Sequence, residues 1–219
     1  MTATWRTIVL LSLLSCLFLA MPSHVSGQAG DRGDLAARCI GAARAAEAIA
    51  DLPDGLLVAV AVVESALHPY AVGSDRDALY ARSTAHAKAA ARTFASAARS
   101  VSGGCFQVNI GAHARDGAAW VFDPVESAMF AARLLVTLHA RHGGWAAALA
   151  AYNGAAPGSS AGHAYACRVR AALAEIAPAS LPAIRLGSCP AAPTRAIRAK
   201  AATLLELAGA ADDQLAEAR

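Results

Sequence analysis

The chain has 219 residues, 56% hydrophobic and 5% aromatic, with 19 Lys and Arg against 16 Asp and Glu for a net charge of +3. A chain this apolar and this weakly charged buries a core and does not stay disordered. No run of consecutive basic residues suggests a nucleic-acid binder, and no nucleic-acid partner is expected.

Arg6 precedes an apolar run from Ile8 to Met21, and the small residues Val25-Ser26-Gly27 follow a polar break. That order matches a secretory signal peptide over residues 1–27, cleaved after Gly27. The run is shorter than the roughly 18–20 residues of a spanning helix, so membrane attachment is expected only through an uncleaved signal. Loss of Cys16 with the signal leaves Cys39, Cys105, Cys167 and Cys189. Four cysteines in an exported chain predict two disulfides, with all three pairings open. Their spacings are too wide for a zinc ligand set. His113, His139, His142 and His163 read as surface residues, and no metal or cofactor is expected.

Gln28 to Gly33 reads as a polar leader, and Leu35 to Ala50 as a first helix carrying Cys39. Asp51-Leu52-Pro53 supplies a helix start. Leu56 to Val63 is apolar on every side, as a buried strand or helix would be. The proline start and the extension to Leu67 favour a helix, ended by His68-Pro69. Tyr70 to Asp77 is a turn region. A short strand or hairpin follows near Leu79–Ala81, then an alanine-rich helix from Thr84 towards Val101.

Gly103-Gly104-Cys105-Phe106-Gln107-Val108-Asn109-Ile110-Gly111 reads as turn and extended loop. Extended chain would point Gln107 and Asn109 to one side. Asp123-Pro124 opens a helix that ends at Gly143-Gly144. Trp145 to Tyr152 is a short buried helix, and His163 to Ile176 the last core helix. Beyond residue 177 four prolines mark a linker containing Cys189. Ala196 to Arg219 reads as a detached amphipathic helix or a frayed tail.

Glu64 stands one position after eight apolar residues, on the helix face of Leu57 and Val60. Either it is solvated in the last turn, or it sits in a partly apolar cleft. In a cleft, desolvation and the C-terminal end of the helix dipole both raise its pKa. A carboxyl still protonated near neutrality is a general acid for a glycosidic oxygen. No second acid sits in a comparable apolar setting. Asp75, Asp77, Asp116 and Asp123 all lie in loop-like or helix-start contexts.

Three stretches in order share a pattern. Glu64-Ser65-Ala66-Leu67-His68-Pro69-Tyr70-Ala71-Val72-Gly73 resembles the glutamate motif of the soluble lytic transglycosylases. Gly104-Cys105-Phe106-Gln107-Val108-Asn109 is similar to their second motif, G-L-M-Q-[IV]-N. Ala150-Ala151-Tyr152-Asn153-Gly154 resembles their third, A-Y-N-A-G, with the last two residues exchanged. Tyr165 falls where the family carries a tyrosine on its last core helix. The resemblance spans about Leu35 to Ile176 and is closest to the small transglycosylases associated with secretion and conjugation. The piece from about Asp75 to Ser102 resembles insertions in those members.

The resemblance implies a mainly α, lysozyme-like domain over 35–177 with a small strand element, followed by a linker and a C-terminal helix or tail over 178–219. It implies an enzyme acting on peptidoglycan strands, with components of an envelope-spanning secretion or conjugation machine as further partners, and the cleavable signal peptide makes a periplasmic location the expectation. Glu64 would act alone, first as acid and then as base, leaving a 1,6-anhydro end. Ser65 would support it, Gln107 and Asn109 would line the sugar groove, Tyr152 would hold the carboxyl or the sugar, and Asn153 would shape the loop. Tyr165 belongs to the same neighbourhood. A hydrolytic muramidase and a non-catalytic glycan-binding envelope protein are the competing readings.

Overall fold

The computed structural model describes residues 24–115 and 117–217; Asp116 and most of the expected signal peptide, including the run Ile8–Met21, lie outside them. Its architecture is mainly helical with one small antiparallel sheet. Helix α1 (His24–Ala50) runs straight through the expected polar leader. Tertiary contact extends it: a Cβ on Gly33 would sit 2.5 Å from the Leu207 carbonyl oxygen, so another helix backbone presses close at this position.

Helix α2 (Leu56–Ser65) is the centre of the core, with every residue from Leu56 to Val62 fully buried. An all-round apolar helix needs cover on all sides. It receives that cover from α1, from α5 (Pro124–His142), from α7 (Ser160–Ile176) and from α8 (Ala191–Glu217). Helix α8 is therefore neither detached nor frayed. Ala201, Leu204 and Ala208 join the main core as it lies along α1 and α7.

The start of α2 has two sources of support. Leu56 N donates to Pro53 O of the expected turn at 3.0 Å, and the neighbouring buried N–H groups are satisfied by Glu47 from α1. Gly55 N donates to Glu47 Oε2 at 2.9 Å, while Leu57 N and Val58 N donate to Oε1 at 2.6 and 3.0 Å. Glu47 is thus a second buried acid, 4% exposed. A helix N-terminus favours an anion, which makes this a structural cap. Glu47→Ala would strand three buried donors and is expected to cost about 3 kcal/mol in urea denaturation.

The sheet has strand order β2-β1-β3-β4, all antiparallel. Strands β1 (Ala71–Ser74) and β2 (Ala78–Tyr80) form a hairpin. Helix α3 (Thr84–Ala95), capped by Ser83, leads to β3 (Val101–Gly103) and β4 (Val108–Asn109). A one-turn helix α4 (Ile110–His113) follows directly, and α5 opens on Asp123, whose Oδ1 accepts from Val125 N and Glu126 N. Helix α6 (Trp145–Tyr152) completes the bundle. The disulfides are Cys39–Cys105 and Cys167–Cys189. The first ties α1 to the turn between β3 and β4, and the second ties α7 to the segment that leads into α8.

Candidate active site

Helix α2 ends one residue after Glu64, and the chain then breaks sharply. Ala66 and Leu67 both take left-handed backbone, at φ 54 and 59, and Leu67 N donates to Ala61 O at 3.2 Å. Left-handed conformation costs a non-glycine residue on the order of 1 kcal/mol, so surrounding structure must hold it. Ser65 provides much of that hold. Its hydroxyl lies 2.7 Å from Cys105 O and 3.2 Å from Ala61 O, and it accepts from His68 N. Ser65 is 1% exposed, so it supports the glutamate turn and does not reach a ligand.

Glu64 lines an open cleft of about 660 Å³ between the sheet and the helices. Ser74, Asp75, Ser102, Gln107 and Asn109 form the sheet wall. Phe130, Leu134, Tyr152 and Asn153 form the helical wall. Tyr165, fully buried on α7, donates its hydroxyl to Glu64 Oε1 at 2.5 Å. Burial pushes the Glu64 carboxyl up from 4.5 to about 7, against the Tyr165 hydroxyl and the positive charges of Arg168 and Lys200, which pull it down. Burial pushes the Glu47 carboxyl up as well, against its backbone donors, so the two glutamates associated with α2 differ in their contacts. Glu47 is locked to donors at the N-terminus, and Glu64 faces a cleft at the C-terminus, where no free N–H is available.

The two tyrosines divide the work differently from the sequence expectation. Tyr165 holds the carboxyl. Tyr152 lines the cleft with Glu64 but donates its hydroxyl to Phe106 O at 2.7 Å, so it braces the opposite wall. Both phenols are pushed well above 10, chiefly by burial, and stay protonated donors.

The amide pair is also arranged differently. Gln107 is not extended: its φ is 47, and the stretch from Gly104 to Gln107 is a turn. Its amide nitrogen donates to Ala71 O and Gly104 O, while its Oε1 lies over Gly73, where a Cβ would come within 2.6 Å. Gly73 is therefore a site residue that the sequence reading missed; the signal was its place at the end of the glutamate motif. Asn109 reaches the cleft as the cap of α4, with Oδ1 accepting from Ala112 N at 2.9 Å. Both amides still line one groove, placed there by a turn and a helix cap and not by strand alternation.

Gly104 is required by close approach, since a Cβ there would lie 2.0 Å from Val121 O. Gly154 takes φ 74 just past α6, and Ala155 N donates to Ala150 O at 2.9 Å. Glycine at this position satisfies the left-handed helix stop, which accounts for the exchanged order after Asn153.

Asp75 lines the cleft despite its loop context. Arg99 donates to it from Nε and from the backbone, each at 3.1 Å, and holds its carboxyl below the usual range. Elsewhere, His163, Cys167 and Cys189 converge within 4.8 Å, a grouping the sequence spacing did not suggest. The two sulfurs are bonded to each other, so the group offers one ring nitrogen.

No curated protein and no solved structure matches the chain. The transglycosylase SLT domain matches residues 41–161, more than half of the 219. The match takes in Glu64, the Gln107–Asn109 turn and Tyr152-Asn153. Tyr165 and α8, which complete the surroundings of Glu64, fall outside it. With a mainly helical fold and two disulfides that suit an oxidising extracytoplasmic compartment, the chain belongs to the transglycosylase SLT domain family, which supports a lytic transglycosylase-type action on peptidoglycan.

Proposed function

We propose that this protein is a lytic transglycosylase that cleaves the β-1,4 bond from N-acetylmuramic acid to N-acetylglucosamine and leaves a 1,6-anhydro end. The observation that carries the reading is the buried carboxyl of Glu64, raised to about 7 at the wall of a sugar-sized cleft. Half protonated near neutrality, it gives its proton to the bridging oxygen as the bond to C1 breaks. The resulting carboxylate accepts the Tyr165 hydroxyl, which steadies it while the sugar carries positive charge. Glu64 then takes the proton of the C6 hydroxyl on the same sugar, and O6 closes on C1. That transfer leaves Glu64 protonated again, the first proton departs on the hydroxyl of the released sugar, and no water is consumed. Gln107, Asn109 and Asn153 offer neutral hydrogen bonds to hydroxyl and acetamide groups along the groove.

One observation favours a second reading, a hydrolase. Asp75 lines the same cleft and is kept ionised by Arg99, as a base for an attacking water would be. Mass spectrometry of released muropeptides separates the two. Anhydro ends, lighter than reducing ends by one water, are expected; reducing ends alone would sink the transglycosylase reading. Asp75→Asn is expected to keep activity within about threefold, since an acid-base pair is not formed with Glu64. A loss of about a hundredfold or more would favour the hydrolase.

A periplasmic site and a role in opening the wall locally for a secretion or conjugation apparatus belong to the same proposal. Their support is the inserted hairpin and α3 region and the compact single catalytic fold. Deleting the gene is expected to impair assembly of one envelope machine, and a general growth or separation defect would count against the role.

A further inference from the structure

Glu64 sits in the last turn of α2, where the helix dipole disfavours a negative charge. Once its proton has left, a carboxylate must nevertheless persist there. Tyr165 gives it one hydrogen bond. Arg168 follows three positions along α7, and its guanidinium carbon lies 5.4 Å from the centroid of the Tyr165 ring. That is cation–π range, so the guanidinium packs on the ring whose hydroxyl meets the carboxyl.

A second cation comes from α8. The chain has 19 Lys and Arg, and Lys88 and Lys200 are its two lysines. Lys200 flanks the face that carries Ile197, Ala201 and Leu204 into the core. It is half-buried, while Arg195 and Arg198 on the same helix are exposed. Helix α8 packs here against α1, α2 and α7. A lysine can bury its stem along such a surface and still direct its ammonium to a charge. Among the described residues the ion pairs are Asp75 with Arg99 and Glu175 with Arg198, so neither Arg168 nor Lys200 is paired with another acid.

The charges act on one another in the sense this placement requires. Burial pushes the Glu64 carboxyl up, and Tyr165, Arg168 and Lys200 pull it back. Burial pulls the Lys200 ammonium down, Arg32 of α1 adds to that, and Glu64 opposes both. The phenol of Tyr152 from α6 also faces Glu64 and stays protonated.

We propose that Arg168 and Lys200 are positioning residues for the acid–base step, a pair of cations behind Glu64 that steadies its carboxylate between the two proton transfers. The proposal rests on the acid–base reading of Glu64 above. It brings α8 into the active site, although the family match ends at residue 161. Neither cation lines the cleft, so both act on the carboxyl from the rear and leave the groove open to the sugar. Without them, burial at a helix C-terminus would make Glu64 hold its proton more tightly than a good general acid does.

The test uses the full chain with the neutral variants Arg168→Gln and Lys200→Met and the conservative variants Arg168→Lys and Lys200→Arg. The alkaline limb of the kcat profile, near 7 in wild type, is expected to move up by about half a pH unit or more in each neutral variant. Each conservative variant should return it to its place. A merely structural role would lower kcat and leave the limb where it is. An unmoved limb in either neutral variant, or one that the conservative variants fail to restore, overturns the proposal.

A second measurement stands apart from turnover. Glutamate carboxyls are labelled with carbon-13 and titrated by NMR, the Glu64 signal being the one missing from Glu64→Gln protein. Its midpoint is expected to rise in both neutral variants. The same midpoint in wild type and variants would overturn the proposal. A wild type that cleaves no peptidoglycan would defeat the reading of Glu64, and the titration would still decide whether the two cations govern its carboxyl.

Discussion

Glu64→Gln is expected to abolish wall clearing in a zymogram, with turnover down about a thousandfold, and to make the protein more stable at the same time. Loss of turnover follows from removing the one carboxyl in the cleft, among the described residues, whose pKa is raised to about 7. Glutamine keeps the shape and can still accept from Tyr165, but it has no proton to give. Equal clearing by variant and wild type would show that Glu64 is not catalytic and would favour a glycan-binding role.

The stability gain has a definite sign and window. A carboxyl whose folded pKa is about 7 against 4.5 resists ionisation in the folded state more than in the unfolded chain. Wild type therefore has its full stability from this group below about 4.5 and loses it as pH rises to about 7. The amide has no such loss. Denaturant melts should show the variant more stable by about 3 kcal/mol above pH 7, with the difference vanishing below about 4.5. A difference that does not change with pH would mean that Glu64 is not desolvated as the cleft geometry requires.

Tyr165→Phe is expected to lower kcat by about 10- to 100-fold, the worth of a hydrogen bond to a charged group. It should also move the alkaline limb of the pH profile. The hydroxyl donates to the carboxyl and pulls its pKa down, so its loss lets burial push the Glu64 carboxyl higher still. The protonated acid then persists to higher pH, and the limb that falls near 7 in wild type should fall later in the variant. A purely structural role for Tyr165 would reduce kcat and leave the limb in place. Tyr152→Phe makes a useful contrast. Its hydroxyl braces Phe106 O, so the substrate wall should loosen and KM should rise while the limb stays near 7.

Local patterns in the chain identified much of this. Asp123-Pro124 starts α5 and Gly143 stops it, because a cap, a preset φ and a left-handed residue are properties of single positions. Ser83 caps α3 for the same reason. Glu64 was conspicuous because a charge immediately after an all-apolar helix is costly unless it is used. Expectations failed where distant segments meet. Three N–H groups at the start of α2, those of Gly55, Leu57 and Val58, are satisfied by Glu47, eight to eleven residues earlier and on another helix. Helix α1 extends beyond its polar leader, and α8 docks, because each covers the other.

The same division holds in the site. By itself the sequence identified the chain as a helical member of the SLT family, and it picked out Glu64, Gln107, Asn109, Tyr152 and Asn153, which line one cleft. Those conclusions rest on residue type and order, which are local. Only the tertiary structure decided which tyrosine holds the carboxyl, which cysteines pair, and that Ser65 serves the turn and not the ligand. It also decided that Asp75 faces the cleft. Each depends on a contact between segments tens of residues apart: Glu64 and Tyr165 are separated by 101 positions. A hydrogen bond or disulfide across such a span is chosen by how the helices pack, and packing depends on the shapes of all the elements together.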